Sequence, residues 1–136
     1  MIKVETLGML DIAKINPVLT SEADVKNNSF IAVDGITYVV ANDLSGDDAY
    51  KDDCVLKAGS YLNGYDVSAW ANQKLVVDGK HITGGVADLV AGTSVLVLDG
   101  TTGKLKVGSP AEGQVSFKVT DKTTLTEAAV KVQVLV

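Results

Sequence analysis

Five aspartates close together are the first feature of this sequence that could support chemistry. The stretch "NDLSGDDAYKDDC" (42–54) carries them with one lysine, so it holds −4 of the chain's net charge of −5. Aspartate oxygens are good ligands for Ca²⁺, and paired carboxylates can act as a general acid and a general base. The stretch therefore raises three alternatives: a calcium loop, an acid–base centre, or a solvated turn.

The spacing of these aspartates does not match an EF-hand loop. With Asp43 as the first ligand, position 6 is Asp48, where the loop needs glycine. Position 12 is Cys54, where the loop needs a bidentate glutamate. A looser calcium site that uses Asp43, Asp47 and Asp48 stays open as an alternative.

A polar loop is the simpler interpretation of the same stretch. Acid–base catalysis needs a carboxyl group with a perturbed pKa in a desolvated pocket, and a run of solvated aspartates does not supply one. We therefore interpret residues 43–53 as an acidic loop that joins a strand at 36–41 to a strand at 54–57.

The remaining reactive side chains are few. His81 is the only histidine and Cys54 the only cysteine. A Ser-His-Asp arrangement around His81 is formally available, but no G-x-S-x-G motif marks a nucleophile. Cys54 follows two aspartates, whereas a reactive thiolate needs an electropositive neighbourhood. We predict no catalytic residue, no metal ligand and no cofactor, and hence a protein that is not an enzyme.

The segment "GTTGKL" (100–105) matches a phosphate-binding loop only in part. Its first glycine is not at the required spacing, and Leu105 stands where a serine or threonine would bind Mg²⁺. We interpret it as a hairpin turn.

The composition argues against two classes of partner. The chain is acidic and its basic residues are all lysines, whereas nucleic-acid readers rely on a basic surface and on bidentate arginines. No apolar run approaches the roughly 18 residues that would indicate a membrane span, and the N-terminus has no secretory pattern. We predict no nucleic-acid partner, no membrane association, and synthesis in the cytoplasm of a host cell.

Alternation of apolar and polar residues with a period of two dominates the chain. "VSFKVT" (115–120) places Val115, Phe117 and Val119 on one face, and the valines of "VKVQVLV" (130–136) do the same. These patterns predict half-buried strands and an all-β fold: a small β-barrel or β-sandwich of short antiparallel hairpins.

Three Asp-Gly pairs, at 34–35, 78–79 and 99–100, lie between apolar β-formers. This pattern is typical of two-residue hairpin turns, whose central residues need positive φ angles. At 34–35 such a turn would place four flanking apolar residues on one face of the hairpin: Ile31, Val33, Ile36 and Tyr38.

Helical signals are limited to one or two short turns, at 21–27 and 66–73. Residues 1–20 lack periodicity, and we predict that they form an extended N-terminal arm. The Gly-rich stretch 83–92 is the one candidate for an internal boundary. We favour a single continuous β domain over 1–136.

Two groups of residues are candidates for a protein interface. The arm holds apolar residues without a helical stripe, and an uncovered extended apolar segment must be buried against something; the group is Ile2, Val4, Leu7, Leu10 and Ile12. The segment "SYLNGYDVSAW" holds Tyr61, Tyr65 and Trp70, the residue types that anchor interfaces. Trp70 could instead cover the core.

Three segments carry a resemblance to a known family. They are 30–82 (from "FIAVDGITYVV" to "VVDGKHI"), "GKLKVG" (103–108) and "VSFKVTDKTTLTEAAVKVQVLV" (115–136). The chain resembles the decoration, or cement, proteins (head auxiliary proteins) of tailed bacteriophages. That resemblance implies a non-enzymatic virion protein on the capsid exterior, which binds the major capsid protein and stabilises the shell. It transfers no site residue, because the family has no catalytic motif.

The resemblance leaves the assembly state open, with trimers, dimers and monomers as alternatives. A second interpretation of the sequence is another phage structural or adhesion module, such as a tail or neck protein or a carbohydrate-binding β domain. In that case Tyr65 and Trp70 would form the ligand platform.

Overall fold

The described residues form short strands and two single-turn helices. The computed structural model describes residues 2–4, 15–42, 54–123 and 129–136. The strands are β1 (Ile2–Val4), β2 (Ile15–Thr20), β3 (Val25–Lys26), β4 (Ser29–Val33), β5 (Ile36–Val40), β6 (Val55–Leu56), β7 (Tyr61–Asp66), β8 (Lys74–Asp78), β9 (Val95–Asp99), β10 (Lys104–Val107), β11 (Ser116–Thr123) and β12 (Ala129–Leu135). Two 3₁₀ helices, η1 (Val67–Trp70) and η2 (Gly79–His81), precede and follow β8.

The strands form three antiparallel sheets, which confirms the all-β prediction. The six-stranded sheet has the order β1-β8-β12-β11-β9-β10, and the four-stranded sheet has the order β2-β7-β5-β4. Strands β3 and β6 form a separate two-stranded sheet. Neither larger sheet closes into a barrel, so of the two predicted architectures the barrel is not the one observed.

The β4–β5 hairpin forms as the Asp-Gly pattern predicts. Val33 pairs with Ile36 across a two-residue turn, and Asp34 and Gly35 have φ angles of 52° and 78°. Positive φ at both central residues is the signature of a type I′ turn. Ile31 pairs with Tyr38, so the predicted face of the hairpin is confirmed.

The other two Asp-Gly pairs do not form two-residue turns. Strand β8 pairs with β1 and β12 and not with the segment that follows it. The chain therefore enters η2 after Asp78 instead of forming a hairpin turn. Asp99 and Lys104 pair across the longer loop 100–103, in which Gly103 has a φ of 69°. "GTTGKL" is therefore part of a hairpin, as predicted, but with a four-residue loop.

Of the two predicted helical turns, the one at 66–73 is confirmed and the one at 21–27 is wrong. η1 lies within the predicted range 66–73, and its first turn is capped by Asp66, whose Oδ1 accepts a hydrogen bond from the backbone N of Ser68 at 2.9 Å. The segment 21–27 contains bends and β3 instead of a helix. Valine favours the strand, and β3 finds a partner in β6.

The two larger sheets share one hydrophobic core. The predicted inward residues Val115, Phe117 and Val119 are all buried, and Phe117 contacts Phe30 of the four-stranded sheet at a ring-centroid distance of 5.5 Å. The remaining buried members come mainly from the six-stranded sheet, with Leu75, Val77, Leu96, Leu105, Val130, Val132 and Val134 among them.

A second, smaller cluster lies against the two-stranded sheet. Its buried members come from β3, β5, β6 and β7, and they are Val25, Tyr38, Val40, Leu56 and Leu62. Ile31 and Val33 of β4 pack at its margin. Strands β4 and β5 therefore contribute to both clusters: one face of each strand lies in the shared core, and the other face lies in the smaller cluster.

The N-terminal segment is extended, but its described parts are not a free arm. β1 pairs with β8 at one edge of the six-stranded sheet, and β2 pairs with β7 at one edge of the four-stranded sheet. The described parts of the predicted arm are therefore extended and paired with the protein's own sheets, which satisfies the backbone groups on one side of each strand.

The predicted boundary at 83–92 packs against the body of the protein. The backbone N of Thr83 donates to the carbonyl of Leu105 at 2.8 Å, and that of Gly92 donates to Val119 at 2.7 Å. Leu89 belongs to the shared core. Among the residues that the structure describes, no helix has the length and apolar character to cross a membrane.

Candidate functional site

The aromatic patch predicted at 61–70 divides into core and surface residues. Trp70 is only 6% exposed and stacks on Tyr65 with ring centroids 6.1 Å apart. The Asp66 cap that starts η1 directs this tryptophan into the shared core. Trp70 therefore follows the alternative in which it covers the core, while Tyr61, which is 72% exposed, remains on the surface.

Two of the predicted interface residues of the N-terminal segment, Ile2 and Val4, are described, and both lie in β1. Ile2 packs against the shared core from the edge strand β1, and Val4 lies in the same strand. Leu7, Leu10 and Ile12 lie outside the described residues, so their interface role stays a prediction.

In the described part of the chain, the reactive side chains form no cluster that could hold a metal ion. The rings of His81 and Phe30 are nearly perpendicular, at a centroid distance of 6.4 Å. No three His, Cys, Asp or Glu side chains come together over the described ranges. The acidic stretch 43–53, with the calcium alternative at Asp43, Asp47 and Asp48, lies outside those ranges.

Both ends of the acidic stretch are held by one buried asparagine. The side chain of Asn27 bonds both backbone groups of Asn42, accepting from its N at 2.8 Å and donating to its O at 3.2 Å. The backbone N of Asn27 donates to the carbonyl of Cys54 at 2.8 Å. Asn42 in turn accepts from the backbone N of Asn63 at 2.7 Å. Asn27 thus holds Asn42 and Cys54, the described residues on either side of the acidic stretch.

Over the described ranges, each of the two larger sheets has two edges without a paired neighbour, and such edges are the places where another chain could add a strand. Three of these four edges carry a feature that discourages such pairing. β1 has only three residues, β2 contains Pro17, which has no N–H, and β10 carries the exposed lysines Lys104 and Lys106. Short strands, prolines and edge lysines are the usual means of protecting an edge.

The fourth edge, β4, has none of these three features, although the β9–β10 loop approaches it at the carbonyl of Phe30. Its sequence, "SFIAV", contains no charge and no proline, and it extends over five residues. Its pairing with β5 fixes the direction of its backbone groups. The pairs beside a two-residue turn are hydrogen-bonded, so Val33 and Ile31 bond to β5 whereas Phe30 and Ala32 direct their N–H and C=O groups outward.

Two further hydrogen bonds agree with this alternation. The carbonyl of Val40 accepts from the N of Asn28 at 2.7 Å, on the β4 side. The N of Ala41 donates to the carbonyl of Asn63 at 3.0 Å, on the β7 side. Within the described chain, the backbone of Ala32 has no hydrogen-bond partner, and the residue is exposed.

The open edge of β4 borders a groove of about 570 Å³. The loop of the β9–β10 hairpin also lines it, and a β-carbon placed on Gly103 would lie 3.3 Å from the carbonyl oxygen of Phe30. Glycine at 103 therefore serves both the positive φ angle and this close approach. The segment 21–26 and η2 provide the remaining walls.

The groove is basic although the protein is acidic. Among the described residues, its lining holds three lysines, Lys26, Lys80 and Lys104, and His81, together with a single carboxylate, that of Asp24. That carboxylate is already engaged: Oδ1 accepts from the backbone N of Ala58 at 2.9 Å, and Oδ2 lies 3.6 Å from Nζ of Lys57.

Sequence reasoning missed this surface because its parts are far apart in the chain. The one available signal was the pair of lysine-bearing segments, Lys80-His81 and "GTTGKL", each beside an Asp-Gly pair. Comparison of the chain with protein-family models, with curated proteins and with solved structures finds no match.

Proposed function

We propose that this protein is a non-enzymatic virion structural protein of a tailed bacteriophage. It is made in the bacterial cytoplasm, binds the major capsid protein on the exterior of the capsid, and stabilises the shell. The resemblance of residues 30–82, 103–108 and 115–136 to decoration proteins supports this function.

The open edge of β4 is the observation that supports the proposal most strongly. A sheet edge with uncharged residues beside a groove is suited to binding a polypeptide segment by strand addition. Many copies on one shell convert a modest affinity per site into strong net stabilisation. An adhesion module with an aromatic sugar platform is less well supported, because Trp70 is buried.

Analysis of phage particles tests the proposed function. Heads purified from the phage or prophage that encodes this chain should contain it at a fixed ratio to the major capsid protein, measured by quantitative mass spectrometry. Heads produced without the gene should release DNA at a lower temperature, and adding purified protein should restore the wild-type value. Intact heads that contain the other head proteins but not this one would contradict the proposal.

A further inference from the structure

We propose that the groove beside β4 binds an acidic, extended polypeptide segment of the partner, which adds as a strand to the open edge at Ala32. The inference rests on the proposed function for the identity of the partner, a capsid subunit. The chemistry of the occupant follows from the groove itself, which combines an unpaired sheet edge with a basic lining.

The backbone geometry requires a partner that both donates and accepts hydrogen bonds. Ala32 presents one N–H and one C=O on the open side of β4, at the spacing of a β-ladder. An extended peptide offers the complementary pair of groups. A phosphate or a sugar phosphate offers acceptors for the N–H but no donor from the phosphate for the carbonyl.

The charge of the groove selects the side chains of that peptide. Lys26 and Lys104 are exposed at its margins, and neither forms an ion pair with another residue in the described part of the chain. The one carboxylate, Asp24, is turned to Lys57 and to the backbone of Ala58. Acidic side chains on the incoming strand would therefore meet ammonium groups that form no ion pair within the described part of the chain, which favours both specificity and association rate.

The sequence of β4 is uncharged, which is consistent with a site where one segment provides backbone pairing and other segments provide charge. The strand itself contributes backbone groups, and charge discrimination comes from neighbouring segments around the groove. The edges at β1, β2 and β10 are short, interrupted by proline or lined with lysine, so strand addition is directed to β4.

Proline substitution at Ala32 tests the backbone contact. Ala32→Pro removes an N–H that is not part of the β4–β5 ladder, and proline is tolerated at such outward positions of edge strands. Ala32→Ser is the matched control, because it keeps the N–H. The probe is a capped eight-residue peptide that alternates glutamate with threonine or valine, and binding is measured by isothermal titration calorimetry on the full chain.

Charge reversal tests the basic lining independently. The double variant Lys26→Glu/Lys104→Glu is compared with Lys74→Glu/Lys122→Glu, which makes the same change in net charge at exposed lysines outside the groove. We expect Ala32→Pro and the groove double variant each to weaken peptide binding by at least about tenfold, equivalent to about 1.4 kcal/mol. The two control proteins should bind as the wild type does.

Salt and alternative ligands complete the test. Peptide binding should weaken between about 0.1 M and 1 M salt, where the screening length falls from about 10 Å to 3 Å. Equal binding by all four variants would overturn the inference, as would binding of inorganic polyphosphate in place of the peptide. Self-association of the wild type that is lost in the groove variants, measured by sedimentation, would also overturn it, because the occupant would then be a second copy.

Binding to heads separates this inference from the proposed function. Wild-type protein that binds the peptide but not the heads would contradict the function and leave the groove assignment intact. Heads decorated equally by the wild type and by both groove variants would contradict the groove assignment and leave the function intact.

Discussion

In the described part of the chain, the two faces of the four-stranded sheet differ sharply in how well they are covered. One face packs against the six-stranded sheet, in a core that holds seventeen of the described buried residues. The other face is covered by the two-residue strands β3 and β6, in a cluster that holds five of them. Since apolar burial is the main stabilising term, the first face should carry most of the folding free energy.

The features with functional potential lie at the β4 edge of the same sheet, where the thinly covered side meets the β9–β10 loop and η2. The groove, the open edge of β4 and the asparagine that holds the acidic stretch all lie beside β3 and the start of β4. The difference suggests that the six-stranded sheet stabilises the fold and that the region around β4 binds the partner. Four stability predictions test this separation, from the largest expected effect to the smallest.

A charge in the shared core should have the largest effect. Val132 is fully buried in β12, and Val132→Asp would place an unpaired carboxylate there, which costs several kcal/mol. We expect the variant to be unfolded or to lose most of its stability, as measured by urea denaturation followed by circular dichroism. Lys131→Asp, one residue earlier and half-buried on the opposite face, should cost about 1 kcal/mol or less. Equal losses of stability in the two variants would contradict the register of β12.

Truncation of one large side chain in each cluster compares the two cores directly. Phe117→Ala should cost about 3–5 kcal/mol, because Phe117 is fully buried against Phe30. Leu62→Ala in the smaller cluster should cost about 2–3 kcal/mol, since the two-stranded sheet can move into the space that is left. The measurement is chemical denaturation of both variants. A greater loss of stability for Leu62→Ala than for Phe117→Ala would show that the smaller cluster, and not the shared core, contributes more to the folding free energy.

Removal of the Asn27 side chain should have an intermediate effect. Asn27→Ala leaves the backbone N and O of Asn42 without their partner, and losing hydrogen bonds at a buried site costs about 1–3 kcal/mol. At the size of this chain that corresponds to a fall in Tm of roughly 3–12 °C. Gln133→Ala, which removes a 3.5 Å contact of an exposed amide, is the control and should change Tm little. An unchanged Tm for Asn27→Ala would show that the ends of the acidic stretch are held by other contacts.

Neutralising the acidic stretch should have the smallest effect. Replacing Asp47, Asp48, Asp52 and Asp53 by Asn removes mutual repulsion and no predicted partner, so Tm should stay the same or rise by about 1–3 °C. Added Ca²⁺ should leave the wild-type Tm unchanged in differential scanning fluorimetry. A rise of several degrees at millimolar Ca²⁺, lost in the neutralised variant, would favour the calcium alternative.

Local patterns in the sequence were sufficient to predict the fold class and several strands. The alternation in 115–120 identified three residues that are all buried, and Asp34-Gly35 identified a turn whose two φ angles are positive. Asp78-Gly79 failed as a turn because tertiary pairing of β8 with β1 and β12 determines where the chain goes next. An Asp-Gly pair therefore specifies a hairpin only where the strand that follows it pairs with the strand that precedes it.

The candidate binding surface could not be predicted from the sequence for a related reason. More than fifty residues separate Lys26 from Lys80, and more than twenty separate Lys80 from Lys104. Only the packing of the β9–β10 loop beside β4 brings these lysines around one groove. Whether a strand is central or at an edge is likewise a property of sheet order and not of its own residues. "SFIAV" reads as an ordinary strand, and only its position in the sheet shows that one side is open.

A cryo-electron-microscopy map of decorated heads, at a resolution that shows side chains, would test the central claim most directly. The account predicts this protein on the outer surface of the shell, with an acidic segment of a capsid subunit paired to β4 at Ala32 and flanked by Lys26 and Lys104. A map in which the edge of β4 and its groove face solvent, while another surface contacts the capsid, would contradict the account.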